Sequence, residues 1–135
     1  MDLARLAWCF LSPKGRLSAQ AFRLAFVFVV AVEAVAIHFV SASSANGPPG
    51  AIDTNANDQA VGFIIIAATW PMIALEWKRL QDIGWPGYFV LVAMGALGLL
   101  IPIVLWVGLA GLALMLVALA FVPGTPGANR YGPST

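Results

Sequence analysis

The fold is decided by a short charged stretch, Glu76-Trp77-Lys78-Arg79-Leu80-Gln81-Asp82-Ile83-Gly84-Trp85, which lies between two long apolar runs. This stretch holds four charged side chains in a chain that is only 10% charged. The runs on either side would expose large apolar surfaces in water, and such surfaces promote aggregation. We therefore expect the charged stretch to emerge at a membrane surface between two membrane-spanning helices.

The composition restricts the class of protein. The chain has 135 residues, is 61% hydrophobic and has a mean hydropathy of +0.89, whereas soluble domains are about a quarter charged. These values predict one membrane domain over residues 1–135. A net charge of +1 is too small for a nucleic-acid-binding surface, so no nucleic-acid partner is expected. Cys9 is the single cysteine, and we expect neither a metal nor another cofactor.

The hydrophobic pattern predicts an all-α, polytopic helical membrane protein. Residues 1–20 form a cytoplasmic segment with an interfacial helix, because the apolar part Leu3–Leu11 is too short to span a bilayer. Four short membrane spans and a cytoplasmic tail follow. The spans are expected at residues 22–42, 59–77, 87–104 and 105–122, and the tail at residues 123–135.

The number of spans depends on the last apolar run. As one helix, residues 88–122 would be roughly 50 Å long, against a hydrocarbon core of about 30 Å. A break near Pro102 gives two short helices and four spans, whereas one span with a re-entrant segment gives three. For the first span, a cleaved signal peptide is the alternative interpretation. Its apolar stretch is long for that purpose, and it contains Glu33 and His38.

The basic residues predict the orientation, because cytoplasmic loops are enriched in Lys and Arg. Basic residues precede or open the first span and follow the second, whereas the loop between these spans has none. The residues assigned to the cytoplasmic side in this way are Arg5, Lys14, Arg16, Arg23, Lys78 and Arg79. With four spans, Arg130 joins them and both termini are cytoplasmic. With three spans, Arg130 alone lies outside.

Glu33 lies near the middle of the first span, where a carboxylate is costly and by default suggests a functional site. One interpretation is a neutral acid that forms hydrogen bonds between helices, with Thr69, Trp70, Trp106 or a backbone carbonyl as its partner. The other is a proton or cation site. Glu33 and Thr69 would then form the intramembrane polar site of a small oligomeric transporter or channel.

The charged stretch also has two interpretations. In the first, Lys78 and Arg79 extend to lipid phosphates, as basic residues at cytoplasmic interfaces do. In the second, Asp82 forms an ion pair with Arg16 or Arg130 and so connects the cytoplasmic segments. The sequence contains no nucleophile elbow, phosphate-binding loop, HExxH or CxxC motif, so we do not expect an enzyme.

Three segments together resemble a known family. They are Gly15-Arg16-Leu17-Ser18, then Lys78-Arg79-Leu80-Gln81-Asp82-Ile83-Gly84 with Gly87-Tyr88, then Pro123-Gly124-Thr125-Pro126-Gly127-Ala128-Asn129-Arg130-Tyr131-Gly132-Pro133. In this order they resemble the small bacterial inner-membrane family known as domain of unknown function 805. The resemblance implies that location, and it implies no particular activity.

The chain departs from the family pattern at several positions. Ala19 replaces the second arginine of the first segment, Arg23 stands near an expected aromatic residue, and Pro86 replaces a serine. In the charged stretch, Gln81 stands where the family has a histidine. A role that needs this histidine, such as protonation or metal binding, therefore does not apply here.

These observations favour a non-enzymatic membrane module that has a structural role or binds lipid or a protein partner at its cytoplasmic face. The residues expected to carry this role are Arg16, Lys78, Arg79, Asp82, Asn129 and Arg130. The expected partners are anionic lipid headgroups, a second copy of the chain or another membrane protein. The alternative is the transporter or channel subunit that uses Glu33.

Overall fold

The computed structural model describes residues 3–45, 54–100 and 104–133, and over these ranges the chain is all-α, as the sequence predicts. Its helices are α1 (Leu3–Leu11), α2 (Ala19–Ala45), α3 (Thr54–Ile83), α4 (Phe89–Leu100) and α5 (Leu105–Phe121). The β-structure of the described residues is one isolated antiparallel bridge between Asn129 and Gly132.

Helices α2 and α3 are long and apolar enough to cross a membrane. Their apolar segments are Ala19–Ala42 and Asn57–Ile83, of 24 and 27 residues. At about 1.5 Å per residue these segments are about 36 and 40 Å long, against a hydrocarbon core of about 30 Å. Helix α3 continues through Pro71 without interruption. Both helices are therefore long enough to form the first two of the predicted membrane spans.

The apolar run after the charged stretch forms two helices, α4 and α5, that pack against each other. They have 12 and 17 residues, which corresponds to about 18 and 26 Å. Each is shorter than a bilayer core of about 30 Å. Residues 101–103, and with them the expected break at Pro102, lie outside the described ranges.

Helix α3 occupies the centre of the bundle and packs against each of the other four helices. Its last turns lie beside the start of α2 and the end of α5. The buried apolar core lies mainly at this end, and consists of Leu17, Phe22, Val29, Leu75 and Leu119. Elsewhere many large apolar side chains are exposed, as expected for helices that face lipid.

Ser18 is the residue immediately before α2 and caps its first turn. Its hydroxyl accepts a hydrogen bond from the Ala21 N–H at 3.4 Å, and its carbonyl accepts one from the Phe22 N–H at 2.8 Å. A serine that satisfies the free N–H groups of the first turn is a typical N-cap. The cap places Arg16, two residues earlier, next to the start of the helix.

Gly84 ends α3. It has a φ of +95°, and the N–H groups of Gly84 and Trp85 donate to the carbonyls of Gln81 and Leu80 at 3.2 and 2.9 Å. This pair of hydrogen bonds is a Schellman motif, in which a left-handed residue after the helix satisfies its last carbonyls. Gly84 therefore occupies the C′ position of α3, where glycine is the commonest residue.

Replacement of Gly84 by alanine should destabilise the protein. Alanine is strained at this positive φ, and its Cβ would lie 3.2 Å from Thr125 Cγ2. We expect a loss of about 1–2 kcal/mol in the free energy of unfolding, measured by thermal unfolding in detergent. Gly62→Ala in the same helix is the matched control, because nothing lies within 4 Å of the added Cβ. Equal unfolding temperatures for the two variants would contradict the role of Gly84.

Candidate functional site

The polar side chains from three distant segments converge on Asp82, in the last turn of α3. Arg16 Nη2 lies 2.9 Å from Asp82 Oδ1, and Arg16 Nε donates to the same oxygen at 3.0 Å. Arg79 donates through Nη1 to the other oxygen, Oδ2. The exposed fractions of the three side chains are 2% for Arg16, 2% for Asp82 and 0% for Arg79. We refer to Arg16, Arg79, Asp82, Thr125 and Asn129 as the buried polar cluster.

Arg16 connects the first loop to the C-terminal tail. Besides its ion pair, it donates from Nη1 to the Gly127 carbonyl at 2.6 Å and from Nη2 to the Thr125 carbonyl at 2.7 Å. A longer contact of 3.4 Å joins Nη1 to the Gly132 carbonyl. The planar guanidinium can serve all these acceptors at once, because it has five N–H donors in a fixed arrangement.

Arg79 binds the end of α5. Its Nε donates to the Leu119 carbonyl at 2.7 Å, and its Nη2 donates to the Val122 carbonyl. The last four carbonyls of a helix lack partners within the helix, and the C-terminal end of its dipole attracts cations. Arg79 therefore satisfies α5 carbonyls while it neutralises Asp82.

Thr125 and Asn129 satisfy the last carbonyls of α3. The backbone N–H and the hydroxyl of Thr125 donate to the Asp82 carbonyl at 2.8 and 2.9 Å. The Asn129 amide donates to the Gln81 carbonyl and to Thr125 Oγ1, both at 2.9 Å. The side chains of Thr125 and Asn129 thus hold the C-terminal tail against the end of α3.

Glycine at position 124 allows the tail to approach Asp82. A Cβ added to Gly124 would lie 2.1 Å from Asp82 Oδ2, closer than any real contact. A Cβ at Gly87 would likewise lie 2.0 Å from Trp77 Cδ1. A side chain larger than hydrogen would therefore clash at both positions, because the backbone passes close to a neighbouring side chain.

Lys78 binds the end of α1. Its Nζ donates to the carbonyls of Trp8 and Cys9 at 2.5 and 2.6 Å, and it lies 4.2 Å from the centroid of a Trp8 ring. Trp70 Nε1 donates to another last-turn carbonyl of α1, that of Leu11, at 3.0 Å. Helix α3 thus holds the C-terminal end of α1 by two side chains.

The expectation that Lys78 and Arg79 extend to lipid phosphates is wrong in this structure. Both residues are 0% exposed, and their donors are directed to backbone carbonyls and to Asp82. The first loop, α1 and the end of α5 cover them. Of the two arginines considered as partners of Asp82, Arg16 forms the ion pair, whereas Arg130 is exposed and stacks over Tyr131 at 4.7 Å.

Gln81 occupies the position at which the family pattern has a histidine. In the amide orientation that satisfies its neighbours, its oxygen accepts from Trp77 Nε1 at 3.0 Å and its nitrogen donates to the Gly15 carbonyl at 2.6 Å. A neutral imidazole also has one donor and one acceptor. Gln81 therefore forms a donor–acceptor link between α3 and the first loop without a titratable group.

The intramembrane polar residues lie apart from this cluster. Glu33 is half-buried and lines two cavities of about 240 and 350 Å³. Among its expected partners, Thr69 donates to the Ile65 carbonyl at 2.8 Å, Trp70 donates to Leu11, and Trp106 is 78% exposed. The hydroxyl and indole donors of Thr69 and Trp70 are therefore used elsewhere.

Glu76 is a site residue that the sequence interpretation missed. Only 5% of it is exposed, and its Oε2 atom has no hydrogen-bond partner among the described residues. It lines the same 240 Å³ cavity as Glu33 and Thr69. The sequence signal that could have identified Glu76 is its spacing from Thr69. Seven residues are about two helical turns, so both side chains lie on one face of α3.

This architecture is that of a small all-α protein with membrane-length apolar helices tied together at one end. The model of the family described as protein of unknown function (DUF805) matches residues 10–133, and the chain belongs to this family. The match contains all three segments on which the resemblance rests and all five residues of the buried polar cluster. The comparisons with curated proteins and with solved structures gave no match.

Asp82→Asn should strongly destabilise the protein, because it leaves two guanidinium groups buried without a counter-charge. Removal of one partner from a buried ion pair lowers the free energy of unfolding by about 3–5 kcal/mol. The measurement is equilibrium unfolding in mixed micelles. Arg130→Gln is the control from the same face, and as an exposed substitution it should change the stability by less than about 0.5 kcal/mol. Similar stabilities of the two variants would contradict the structural role of Asp82.

Proposed function

We propose that this chain is a non-enzymatic structural protein of the bacterial inner membrane, with several spans and a cytoplasmic N-terminus. Its cluster end, meaning the end that contains the buried polar cluster, would contact anionic lipid headgroups. The observation that carries the proposal is the burial of Asp82 between Arg16 and Arg79. The polar groups of the family motifs bind one another and backbone carbonyls, so their arrangement supports a structural role over a catalytic one.

The location and orientation are supported by independent features. Helices α2 and α3 have membrane length, and the large side chains that they expose are mainly apolar. The basic residues whose side chains are described concentrate at the cluster end, which is the side that the enrichment of Lys and Arg assigns to the cytoplasm. The resemblance to bacterial inner-membrane proteins favours the same location.

Three exposed basic residues at the cluster end are suited to lipid. Lys14 belongs to the loop before Arg16, and Arg130 belongs to the tail. Arg23 extends over the Phe121 ring, with its Cζ atom 5.5 Å from the centroid. Each exposed cation near an anionic leaflet contributes about 1 kcal/mol of attraction. The lipid role first assigned to Lys78 and Arg79 therefore moves to these exposed residues.

The lipid contact can be tested with the chain's own tryptophans. In reconstituted bilayers, quenching by brominated phosphatidylglycerol relative to brominated phosphatidylcholine measures the preference for anionic lipid. We expect a preference for phosphatidylglycerol that falls in Lys14→Gln/Arg23→Gln/Arg130→Gln by about fivefold for each cation removed, which corresponds to about 1 kcal/mol per cation. Asp58→Asn, an exposed change near the start of α3, is the control and should leave the preference unchanged. Equal quenching by both lipids in the unmodified protein would refute a preference for anionic lipid. A protein partner would then be the remaining candidate for the cluster end.

A second candidate function, transport by an oligomer that uses Glu33, is favoured by the cavities that Glu33 lines. It predicts a pH-dependent ion flux through liposomes containing the protein. The flux should disappear in Glu33→Gln, because this substitution removes the charge at the middle of α2 and retains the side-chain shape. His38→Gln is the control. His38 also lies on α2, nearer to its C-terminal end, and its substitution should leave the flux unchanged. A protein without measurable flux in any form would exclude this candidate.

A further inference from the structure

A cavity of about 240 Å³ lies between α2, α3, α4 and α5. Its lining is apolar except for two carboxylates and one hydroxyl, those of Glu33, Glu76 and Thr69. Phe26 contributes an aromatic ring. Thioethers come from three different helices, from Met72 of α3, Met94 of α4 and Met115 of α5.

The polar groups occupy two levels of the cavity. The Arg16–Asp82 ion pair holds the start of α2 level with the end of α3. At about 1.5 Å per residue, Glu33 on α2 and Thr69 on α3 each lie about 21 Å from that level, whereas Glu76 lies about 10 Å from it. The cavity therefore has one carboxylate near the middle of the bundle and a second about 11 Å closer to the cluster end.

Glu76 is the feature that indicates a ligand. It is buried, and its Oε2 atom lacks a hydrogen-bond partner within the described part of the chain. A buried acceptor without a partner is costly, and more so when it belongs to a carboxylate. By contrast, the buried cations Arg16, Lys78 and Arg79 each have several acceptors.

The compensating charge does not come from the residues that line the cavity. None of the described residues in this lining is Lys or Arg. The nearest cations in the sequence, Lys78 and Arg79, are directed to the ends of α1 and α5. A positive charge at Glu76 would therefore arrive with a ligand that enters the cavity.

The lining favours an organic cation over a metal ion. Ca²⁺ and Mg²⁺ require six or more oxygen ligands around one point, and the described residues contain no group of three or more His, Cys, Asp or Glu that could hold a metal ion. A small amphiphilic cation needs a single counter-charge and an apolar surround. Aromatic rings attract cations, and methionine adapts to irregular apolar ligands.

We propose that this cavity binds a small lipophilic organic cation, an amine or quaternary ammonium compound, with Glu76 as its counter-charge. The apolar part of the ligand lies against Phe26 and the three methionines. Glu33 and Thr69 form the polar end of the cavity near the middle of the bundle. The site is separate from the buried polar cluster and from the lipid contact described above.

Calorimetric titration of the full chain in detergent tests the proposal, with benzyltrimethylammonium as the probe. We expect saturable binding that weakens at least tenfold in Glu76→Gln, which keeps the side-chain shape and removes the charge. Thermal unfolding of the same variant shows whether it is folded, and we expect no loss of stability, since the substitution removes an uncompensated buried carboxylate. The control Asp58→Asn removes an exposed carboxylate outside the cavity and should leave the affinity unchanged.

Two further measurements can overturn the proposal. Benzyl alcohol, which has the aromatic ring without the charge, should not bind with comparable affinity, and equal binding would indicate an apolar cavity that does not recognise cations. Glu33→Gln should weaken binding less than Glu76→Gln does. Loss of binding in Glu33→Gln together with unchanged binding in Glu76→Gln would refute the assignment of Glu76 as the counter-charge.

Discussion

The structure depends on one carboxylate, that of Asp82, held between two buried guanidinium groups. Two charges of one sign and one of the other are costly to bury unless hydrogen bonds satisfy the remaining donors. Arg79 forms those hydrogen bonds with the end of α5, and Arg16 forms them with the C-terminal tail. Helices α1, α3 and α5 all end beside the cluster, and the negative ends of three dipoles would repel one another there. Lys78 satisfies α1 carbonyls and Arg79 those of α5, while the tail satisfies those of α3.

This arrangement makes the C-terminal tail part of the fold. Arg16 and Asp82 are separated by 66 residues and Arg16 and Gly127 by 111, so the cluster joins the start, the middle and the end of the chain. Large apolar side chains elsewhere are mostly exposed, and lipid offers little hydrophobic driving force for helix association. The polar cluster supplies the specificity that an apolar core supplies in a soluble protein, because it has few alternative arrangements of donors and acceptors.

The features that the sequence predicts well are local. Ser18 and Gly84 can be recognised as helix caps from their residue types and positions. The all-α fold can be recognised from the long apolar runs. The burial of Lys78 and Arg79 could not be predicted, because basic residues beside tryptophans at the end of a span are equally typical of a lipid interface. Their burial depends on three segments that contact them only in the folded chain. Glu76 was missed for the opposite reason: its place in a charged stretch indicated exposure, whereas in the folded chain it is buried and lines a cavity between four helices.

Helix α3 therefore separates two electrostatic environments within two turns. Glu76 and Asp82 are six residues apart, which places them about 120° apart around the helix axis, on different faces. Asp82 faces the arginines and the helix ends, and Glu76 faces the apolar cavity. Lys78 and Arg79 are held by hydrogen bonds to carbonyls at the ends of α1 and α5, so a movement of either toward Glu76 would leave a helix end unsatisfied. A positive charge that balances an ionised Glu76 would then come from the cavity side, where the other polar groups of the lining are Glu33 and Thr69.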